Sequence, residues 1–263
     1  MKIKSKQIKA LILPLFILIC WYLGSESGFF NSYILPSPVK ILKTFLDLLK
    51  NGMLIKHLLV SFYRVFLGFT ITFIAAFLLA LLIALNDWLT DYIKPTLEFI
   101  RHIPPIALIP ILILWLGIGE KPKITVIILA TFFPVFLNTL SGISNCDSKL
   151  KEVGDIFGLS KWEKFYRIIL PQALPSIIVG MQIALGYSWR SLIGAELIAA
   201  SSGIGYMIID AEQLSRPDII IVGVITIGIF GYLIDYFFFK FTQKLIHQGG
   251  KEDEINYSNQ KFN

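Results

Sequence analysis

The sequence has little charge for its length. Only 16% of its 263 residues are Asp, Glu, Lys or Arg, whereas 55% are apolar, and the mean hydropathy is +0.70. Soluble domains average about 25% charged and 45–50% apolar residues, because they need polar groups to cover their surface. This composition excludes an ordinary soluble protein and predicts a membrane protein whose helical spans each use about 20 residues.

Cysteine, histidine and nucleotide-binding motifs are also scarce. Cys20 lies in an apolar run and Cys146 in a polar loop, so a disulfide framework is excluded. The three histidines are isolated, so no metal centre is expected. A GxxxxGK[ST] phosphate loop is absent, so we expect the chain to bind neither ATP nor another cofactor.

The positive charge indicates membrane orientation rather than nucleic-acid binding. The net charge is +6, but the lysines concentrate in polar segments between apolar runs, where they set topology. With six spans and both ends cytoplasmic, the inside would carry fifteen Lys and Arg residues and the outside seven. Seven spans would give eleven on each side. The count therefore favours six spans, with no nucleic-acid partner.

Six apolar regions supply these spans. The first follows the lysine-rich residues 1–9 and ends at Trp21 and Tyr22. We favour an uncleaved span over a signal peptide there, because aromatic residues anchor spans at the membrane interface. The other apolar regions are 58–85, 103–118, 123–143, 172–211 and 219–239. Residues 103–118 and 123–143 are predicted to form a hairpin joined by GEKPK. Residues 172–211 are too long for one span, leaving two spans or one span with a re-entrant or surface piece.

A separate amphipathic helix is predicted over residues 36–52. Ser37 can cap it and Pro38 suits its first position. Its predicted apolar stripe is Leu42, Phe45, Leu46 and Leu49, opposite Lys40, Lys43, Asp47 and Lys50. The helix is too charged to span, so it lies on the membrane surface or packs against the spans.

The longest polar connection, residues 144–171, predicts a helix-turn-helix. Asp147 or Ser148 can cap a first helix that ends at Gly158. Ser160 and Glu163 form a capping box for a second helix, which Pro171 is expected to end. The first helix carries an apolar stripe of Leu150, Val153, Ile156 and Phe157. This stripe predicts a docking surface, the alternative being that it folds back onto the ends of the spans.

These residues resemble the signature of ATP-binding-cassette (ABC) importer permeases. In that signature Glu-Ala-Ala is followed by three residues, Gly, nine residues and Ile-x-Leu-Pro. Glu152, Gly158, Ile168, Leu170 and Pro171 match its anchor positions, whereas Val153 and Gly154 replace the two alanines. Gly154 should weaken the helix by roughly 1 kcal/mol relative to Ala.

Other segments resemble the nitrate/sulfonate/taurine class of these permeases. They are LPSP at 35–38, HLLVSFYRVFLGF at 57–69, RHIPPIALIPILILWLGIGE at 101–120, FFPVFLNTLSG at 132–142 and AELIAASSGIGYMI at 195–208. The resemblance implies an all-α membrane fold of about six transmembrane helices, non-enzymatic by itself, in a prokaryotic cell membrane. It also implies cytoplasmic ATPase subunits that bind the ATP, a second permease subunit and an extracytoplasmic substrate-binding protein. A homodimer is favoured over a heterodimer because this chain carries the whole motif.

By the same resemblance, residues 144–171 couple the permease to the ATPase. The implied coupling residues are Glu152, Val153, Gly154, Ile156, Phe157, Gly158, Ile168, Leu170 and Pro171. The predicted organisation is an N-terminus with the first span (1–34), the amphipathic helix (35–56), the permease core (57–241) and a polar cytoplasmic tail (242–263). A secondary carrier driven by an ion gradient is the alternative function, although the inverted repeat typical of such carriers is not evident.

Three charged residues lie in or near the apolar regions and are candidate pathway residues: Arg64, Arg190 and Glu196. Charges at membrane depth usually face a cavity or a partner. For Arg190 the alternatives are pathway lining, an interface ion pair and snorkelling to a headgroup. An anionic sulfonate, sulfate-like or nitrate substrate favours pathway lining by Arg190, whereas the Glu196 carboxylate would repel it. The resemblance implies a small anionic or organic solute, and the sequence leaves open whether that is a sulfonate, taurine, nitrate or a pyrimidine precursor. SSGIG at 201–205 predicts either an outer gate or an ordinary turn.

Overall fold

A computed structural model describes residues 2–247, in which every regular element is a helix and no β-strand occurs. The helices are α1 (Lys2–Glu26), α2 (Pro38–Lys50), α3 (Met53–Ala84), α4 (Asp87–Ile100), α5 (Ile109–Leu116), α6 (Glu120–Ser144), α7 (Ser148–Ile156), α8 (Lys161–Lys164), α9 (Leu170–Ala199), α10 (Ile204–Gln213) and α11 (Pro217–His247). A 3₁₀ turn, Pro105–Leu108, precedes α5, and a π-helical segment, Phe165–Ile169, joins α8 to α9. α11 extends into the predicted polar tail, the rest of which lies outside the described residues.

The predicted all-α membrane fold is confirmed. Among the described residues, four regions are long and apolar enough to cross a membrane: Met53–Ala84, Glu120–Ser144, Lys161–Gln213 and Pro217–Gln243. Two shorter apolar helical regions, Ile12–Glu26 and Pro105–Leu116, accompany them. Within 172–211, α9 is one long helix followed by the short α10; how often this region crosses the membrane stays a prediction.

The predicted hairpin around GEKPK is wrong in detail. α6 already begins at Glu120, so the turn is made by the preceding residues, with positive φ at Gly117 and Gly119. The helical part of the first arm covers only Pro105–Leu116, about 20 Å of helix at 1.5–2 Å per residue, which is short for a roughly 30 Å bilayer core. Proline explains the late start, since Pro104 and Pro105 provide no backbone N–H for an earlier turn.

The amphipathic helix α2 forms as predicted, but it buries another face. Ser37 caps it and Pro38 occupies its first turn. The buried residues are Ile41, Thr44 and Leu48, whereas Leu42 and Leu46 are exposed. The Thr44 hydroxyl donates a 2.8 Å hydrogen bond to Asp218 at the start of α11. The helix therefore packs against the protein through a stripe that includes a polar residue, because lipid can cover the exposed apolar face.

The chain forms two compact units. One comprises the described residues up to Ser61 together with Glu196–Ile229, and the other comprises Phe62–Ala195 and the described residues from Phe230. In the second unit, α6 and α9 approach closely at small residues: a Cβ on Gly180 would lie 2.8 Å from the Pro134 carbonyl oxygen. Small residues permit such close packing of membrane helices.

Candidate coupling element and buried polar sites

The caps of the 144–171 element form as its sequence predicts. Asp147 caps α7 by accepting a 2.9 Å hydrogen bond from the Lys149 N–H. Gly158 adopts a φ of +69° just after the helix, a conformation that glycine takes without the steric cost of a side chain. Ser160 and Glu163 form the predicted reciprocal capping box of α8. These short-range bonds position α7 and the turn after it.

Pro171 does not end the second helix, contrary to the sequence prediction. The chain stays helical from α8 through the π-helical segment into α9. The Leu170 N–H reaches back to the Phe165 carbonyl, one residue further than in an α-helix. Pro171 follows this bond directly, so the shift of the hydrogen-bond register in the π-helical segment is what accommodates a residue without a backbone N–H inside a continuous helix. The 144–171 element is thus directly continuous with a helical region long and apolar enough to cross a membrane.

Gly154, where the signature prefers alanine, brings α7 close to the π-helical segment. A Cβ at this position would lie 2.8 Å from Cδ1 of Ile168 and 3.0 Å from Cγ of Lys164. The Lys164 ammonium also pairs with Asp155 at 2.5 Å. Glycine therefore fits this tight crossing as it stands, whereas an alanine would fit only if the side chains of Ile168 and Lys164 moved.

The side chain of Gln172 on α9 binds the start of the element. The Gln172 carbonyl oxygen accepts a bond from the Cys146 thiol at 2.9 Å and from the Asp147 N–H at 3.2 Å. Cys146 is 7% exposed, and burial raises the pKa of its thiol. A thiol that remains protonated is a poor nucleophile, so its structural role as a hydrogen-bond donor is favoured.

The apolar stripe of α7 is exposed in this chain. The exposed fractions are 82% for Ile156, 77% for Phe157, 43% for Val153 and 39% for Leu150. The four side chains therefore remain available to a partner, and the fold-back alternative is not what the structure has. Glu152 and Pro171 are also exposed, whereas Ile168 and Leu170 are partly buried. No observation on this chain tests their role in coupling, which stays a prediction.

Arg64 is fully buried and paired, within the second unit. Its guanidinium donates to both carboxylate oxygens of Glu120, with Nη2 at 2.7 Å from Oε1. Lys123, which is 2% exposed, donates to Oε1 at 3.0 Å. An ion-pair network thus joins the first turn of α6 to α3. Sequence reasoning missed Glu120 as the partner of Arg64, because it placed Glu120 in the GEKPK turn. The proposed pathway role of Arg64 remains a prediction.

Glu196, the second candidate, binds the start of α10. The Gly205 N–H donates to Glu196 Oε2 at 2.9 Å, and the Ser61 hydroxyl contacts both carboxylate oxygens at 2.8 and 2.9 Å. Glu196 and Ser61 are 1% and 0% exposed. A carboxylate at a helix N-terminus is favoured by the helix dipole. This pairing explains how a charge is accommodated at this depth.

Two further backbone N–H groups, accepted by Ser61 and by a third side chain, His57, complete this cluster. The Ile204 N–H donates to the Ser61 oxygen at 2.9 Å, and the Gly203 N–H donates to Nδ1 of His57 at 3.0 Å. Gly203 has a φ of +113°, and a Cβ there would overlap the Glu196 carboxylate. We call His57, Ser61 and Glu196 the α10 clamp. It shows that the SSGIG segment is no ordinary exposed turn, since side chains from α3 and α9 hold its backbone.

Arg190 differs from the other two candidates because it is exposed. It lies on α9, and the described residues show no direct ion pair to it, although its charge is felt by the Asp235 carboxylate of α11. Asp235 was not among the sequence candidates. This neighbour is compatible with the ion-pair alternative, and pathway lining by Arg190 remains a prediction.

The second unit also contains a cleft of about 380 Å³. Its walls are mainly aliphatic and aromatic, and its polar members are Arg101, Asn138, Tyr187 and Ser191. Sequence reasoning missed Arg101, because it was counted only as a loop charge. The signal lay in its position two residues before Ile103-Pro104-Pro105, where α4 must stop, so that an arginine at the helix end lines the same cleft as residues of α6.

Comparison with known proteins identifies relatives over most of the chain. Residues 68–249 match the profile of a family described as the binding-protein-dependent transport system inner membrane component. A putative aliphatic sulfonates transport permease protein of Escherichia coli (strain K12) is 42% identical, covering 85% of each chain. A protein of the same name from Bacillus subtilis (strain 168) is 37% identical, over 91% of this chain and 87% of the relative. The taurine transport system permease protein of Escherichia coli (strain K12) is 30% identical, over 88% and 86%.

Proposed function

The chain belongs to the family of binding-protein-dependent transport system inner membrane components, and on that premise we propose its substrate, its assembly and its coupling mechanism. It is a multi-pass permease of an ABC importer. Permeases of this class work with an ATPase and a substrate-binding protein. The relatives are ABC transporter permeases, so the ion-gradient carrier is not favoured.

We propose a small organic sulfonate as the substrate. Two relatives are named for aliphatic sulfonates and one for taurine, and all of these compounds carry a sulfonate group. A sulfonate is an anion with three acceptor oxygens, and arginine is the side chain best suited to bind it bidentately.

We propose that two copies of this chain form the pathway and that both termini are cytoplasmic. The excess of Lys and Arg on the predicted inner side supports this orientation. It places the 144–171 element in the cytoplasm, beside the ATPase. The ATP is then bound by the ATPase subunit, and this chain needs no cofactor and carries out no catalysis of its own.

The exposed apolar stripe on α7 is the observation that supports the coupling role. Ile156 and Phe157 are more than three-quarters exposed, although burying such side chains stabilises a protein by about 1.5–3 kcal/mol each. We propose that they insert into a groove on the ATPase. Because the 144–171 element runs on into α9, movement of the docked helix then shifts α9 and switches the packing of the spans.

Co-purification with the cognate ATPase tests this function. The two permease variants to compare are Ile156→Asp combined with Phe157→Asp, and Leu214→Asp. Leu214 is a 65% exposed residue after α10, on the opposite membrane side in the proposed topology. We expect the double variant to lose the ATPase and the control to retain it.

Transport provides the second readout. Vesicles containing the wild-type complex and its binding protein should accumulate a labelled alkanesulfonate only with ATP on the cytoplasmic side. Uptake that follows an ion gradient without ATP would overturn the importer assignment. Retention of the ATPase by the double variant would overturn the coupling role of the stripe but leave the importer assignment intact.

A further inference from the structure

The cleft in the second unit combines an apolar wall with one cationic end. α6 contributes Phe133 and Leu137, and the turn before α5 contributes Pro105. Arg101 follows α4, and Tyr187 and Ser191 come from α9. The volume of about 380 Å³ falls within the range of small-molecule sites.

The polar groups at this cleft have free hydrogen-bonding capacity. Arg101 donates one bond to Glu98 at 2.9 Å, and a guanidinium has five N–H donors. The Asn138 amide donates to the Pro134 carbonyl, which leaves its own carbonyl oxygen to accept. An anion at Arg101 would have to lie away from the Glu98 carboxylate, on the side of the guanidinium that borders the cleft.

We propose that this cleft binds the organic anion in transit, with Arg101 on the sulfonate and the alkyl chain against Phe133 and Leu137. The proposal rests on the proposed function, because that function supplies the sulfonate. An alkanesulfonate has the same two-part chemistry as the cleft: one strongly charged end and an apolar chain. Taurine, whose second end carries an ammonium group, fits the apolar wall less well.

The apolar wall leads to a preference for longer chains. Each CH₂ group removed from water contributes about 0.8 kcal/mol, or roughly a fourfold change in affinity. Hexanesulfonate should therefore bind much more tightly than ethanesulfonate. Phe133→Ala should reduce that difference, whereas Arg101→Gln should weaken both ligands.

Protection of an introduced thiol tests the proposal on the detergent-solubilised permease–ATPase complex. The background carries Cys20→Ser and Cys146→Ser, the second of which keeps a hydrogen-bond donor for Gln172. Ser191→Cys then places one thiol in the cleft. The readout is the rate of modification by neutral N-ethylmaleimide at increasing hexanesulfonate concentrations.

We expect hexanesulfonate to slow this labelling in a saturable way. Arg101→Gln should raise the half-protecting concentration about tenfold or more, since charged hydrogen bonds contribute about 1.5–3 kcal/mol. Arg101→Lys should recover part of the loss. Lys43→Gln is the matched control, because Lys43 is an exposed cation on α2, in the other unit, and it should leave protection unchanged.

Absence of protection at both Ser191→Cys and Tyr187→Cys in a complex that transports alkanesulfonate would overturn the cleft proposal and leave the proposed function intact. Unchanged protection in Arg101→Gln would overturn it as well. Protection by added phospholipid but not by hexanesulfonate would assign the cleft to a lipid headgroup instead. A complex that shows no ATP-dependent uptake, whatever the protection, would overturn the proposed function.

Discussion

α8 and α10 both begin with backbone N–H groups that need acceptors, yet the two starts are held in opposite ways. At α8 the capping box joins Ser160 and Glu163, three residues apart. At α10 the acceptors are His57, Ser61 and Glu196, of which the first two lie more than 140 residues away in sequence. One helix end is stabilised by its own neighbours, and the other by the tertiary structure.

The difference fits the roles that we propose for the two regions. Local caps let the 144–171 element keep its shape while its apolar stripe stays exposed, which a docking surface requires. The α10 clamp instead fixes the buried start of α10, Gly203 to Gly205, whose backbone N–H groups it accepts, and an unpaired buried N–H is costly. We therefore expect substitutions in the clamp to change the free energy of unfolding, and substitutions on the stripe to change association.

Gly203→Ala should produce the largest effect on stability. The positive φ and the overlap with the Glu196 carboxylate should together lower the free energy of unfolding by about 3 kcal/mol or more. The measurement is SDS-induced unfolding in mixed micelles. Gly52→Ala is the control, because Gly52 has a φ of +74° but open space around it. Equal losses in the two variants would show that the clamp adds nothing to backbone strain.

Glu196→Gln should have the next largest effect on the free energy of unfolding. The amide keeps one oxygen acceptor but turns an NH₂ group toward a donor, so the free energy of unfolding should fall by about 2 kcal/mol. The same unfolding assay applies, with the exposed Glu212→Gln as control. A variant as stable as the wild type would mean that the clamp does not need a second acceptor oxygen.

Ser160→Ala breaks the local cap and should cost about 1 kcal/mol. Ser148→Ala is its control, since Ser148 lies inside α7 rather than at a cap. The cost should appear in the unfolding assay, with ATPase co-purification largely retained. If Ser160→Ala were as destabilising as Glu196→Gln, the contrast between local and tertiary caps would fail.

Gly154→Ala should have the smallest effect, and in the opposite direction. Alanine favours the helix by up to about 1 kcal/mol, and the flexible ends of Ile168 and Lys164 can move away from the new methyl group. We expect a net gain of about 0.5 kcal/mol in the free energy of unfolding. Gly154→Val should reverse the gain because its branched side chain cannot fit. A loss with alanine itself would show that the crossing of α7 is rigid.

Local signals predicted much of the coupling element but less of its surroundings. Asp147, Gly158 and the Ser160–Glu163 pair act over a few residues, so the sequence alone indicates them. The prediction that Pro171 ends the second helix was wrong, because the effect of a proline depends on the π-helical segment before it. The buried stripe of α2 was also predicted on the wrong face, since in a membrane protein lipid can cover leucine while Thr44 turns inward to Asp218.

From the sequence alone, the composition determined a helical membrane protein, and the spacing around Gly158 determined the family that the comparisons confirmed. These are properties of runs and short spacings. Only the tertiary structure decided the partners of Arg64 and Glu196 and the place of Arg101 in a cleft. A charge at membrane depth must find a partner, but which one depends on helices far apart in sequence.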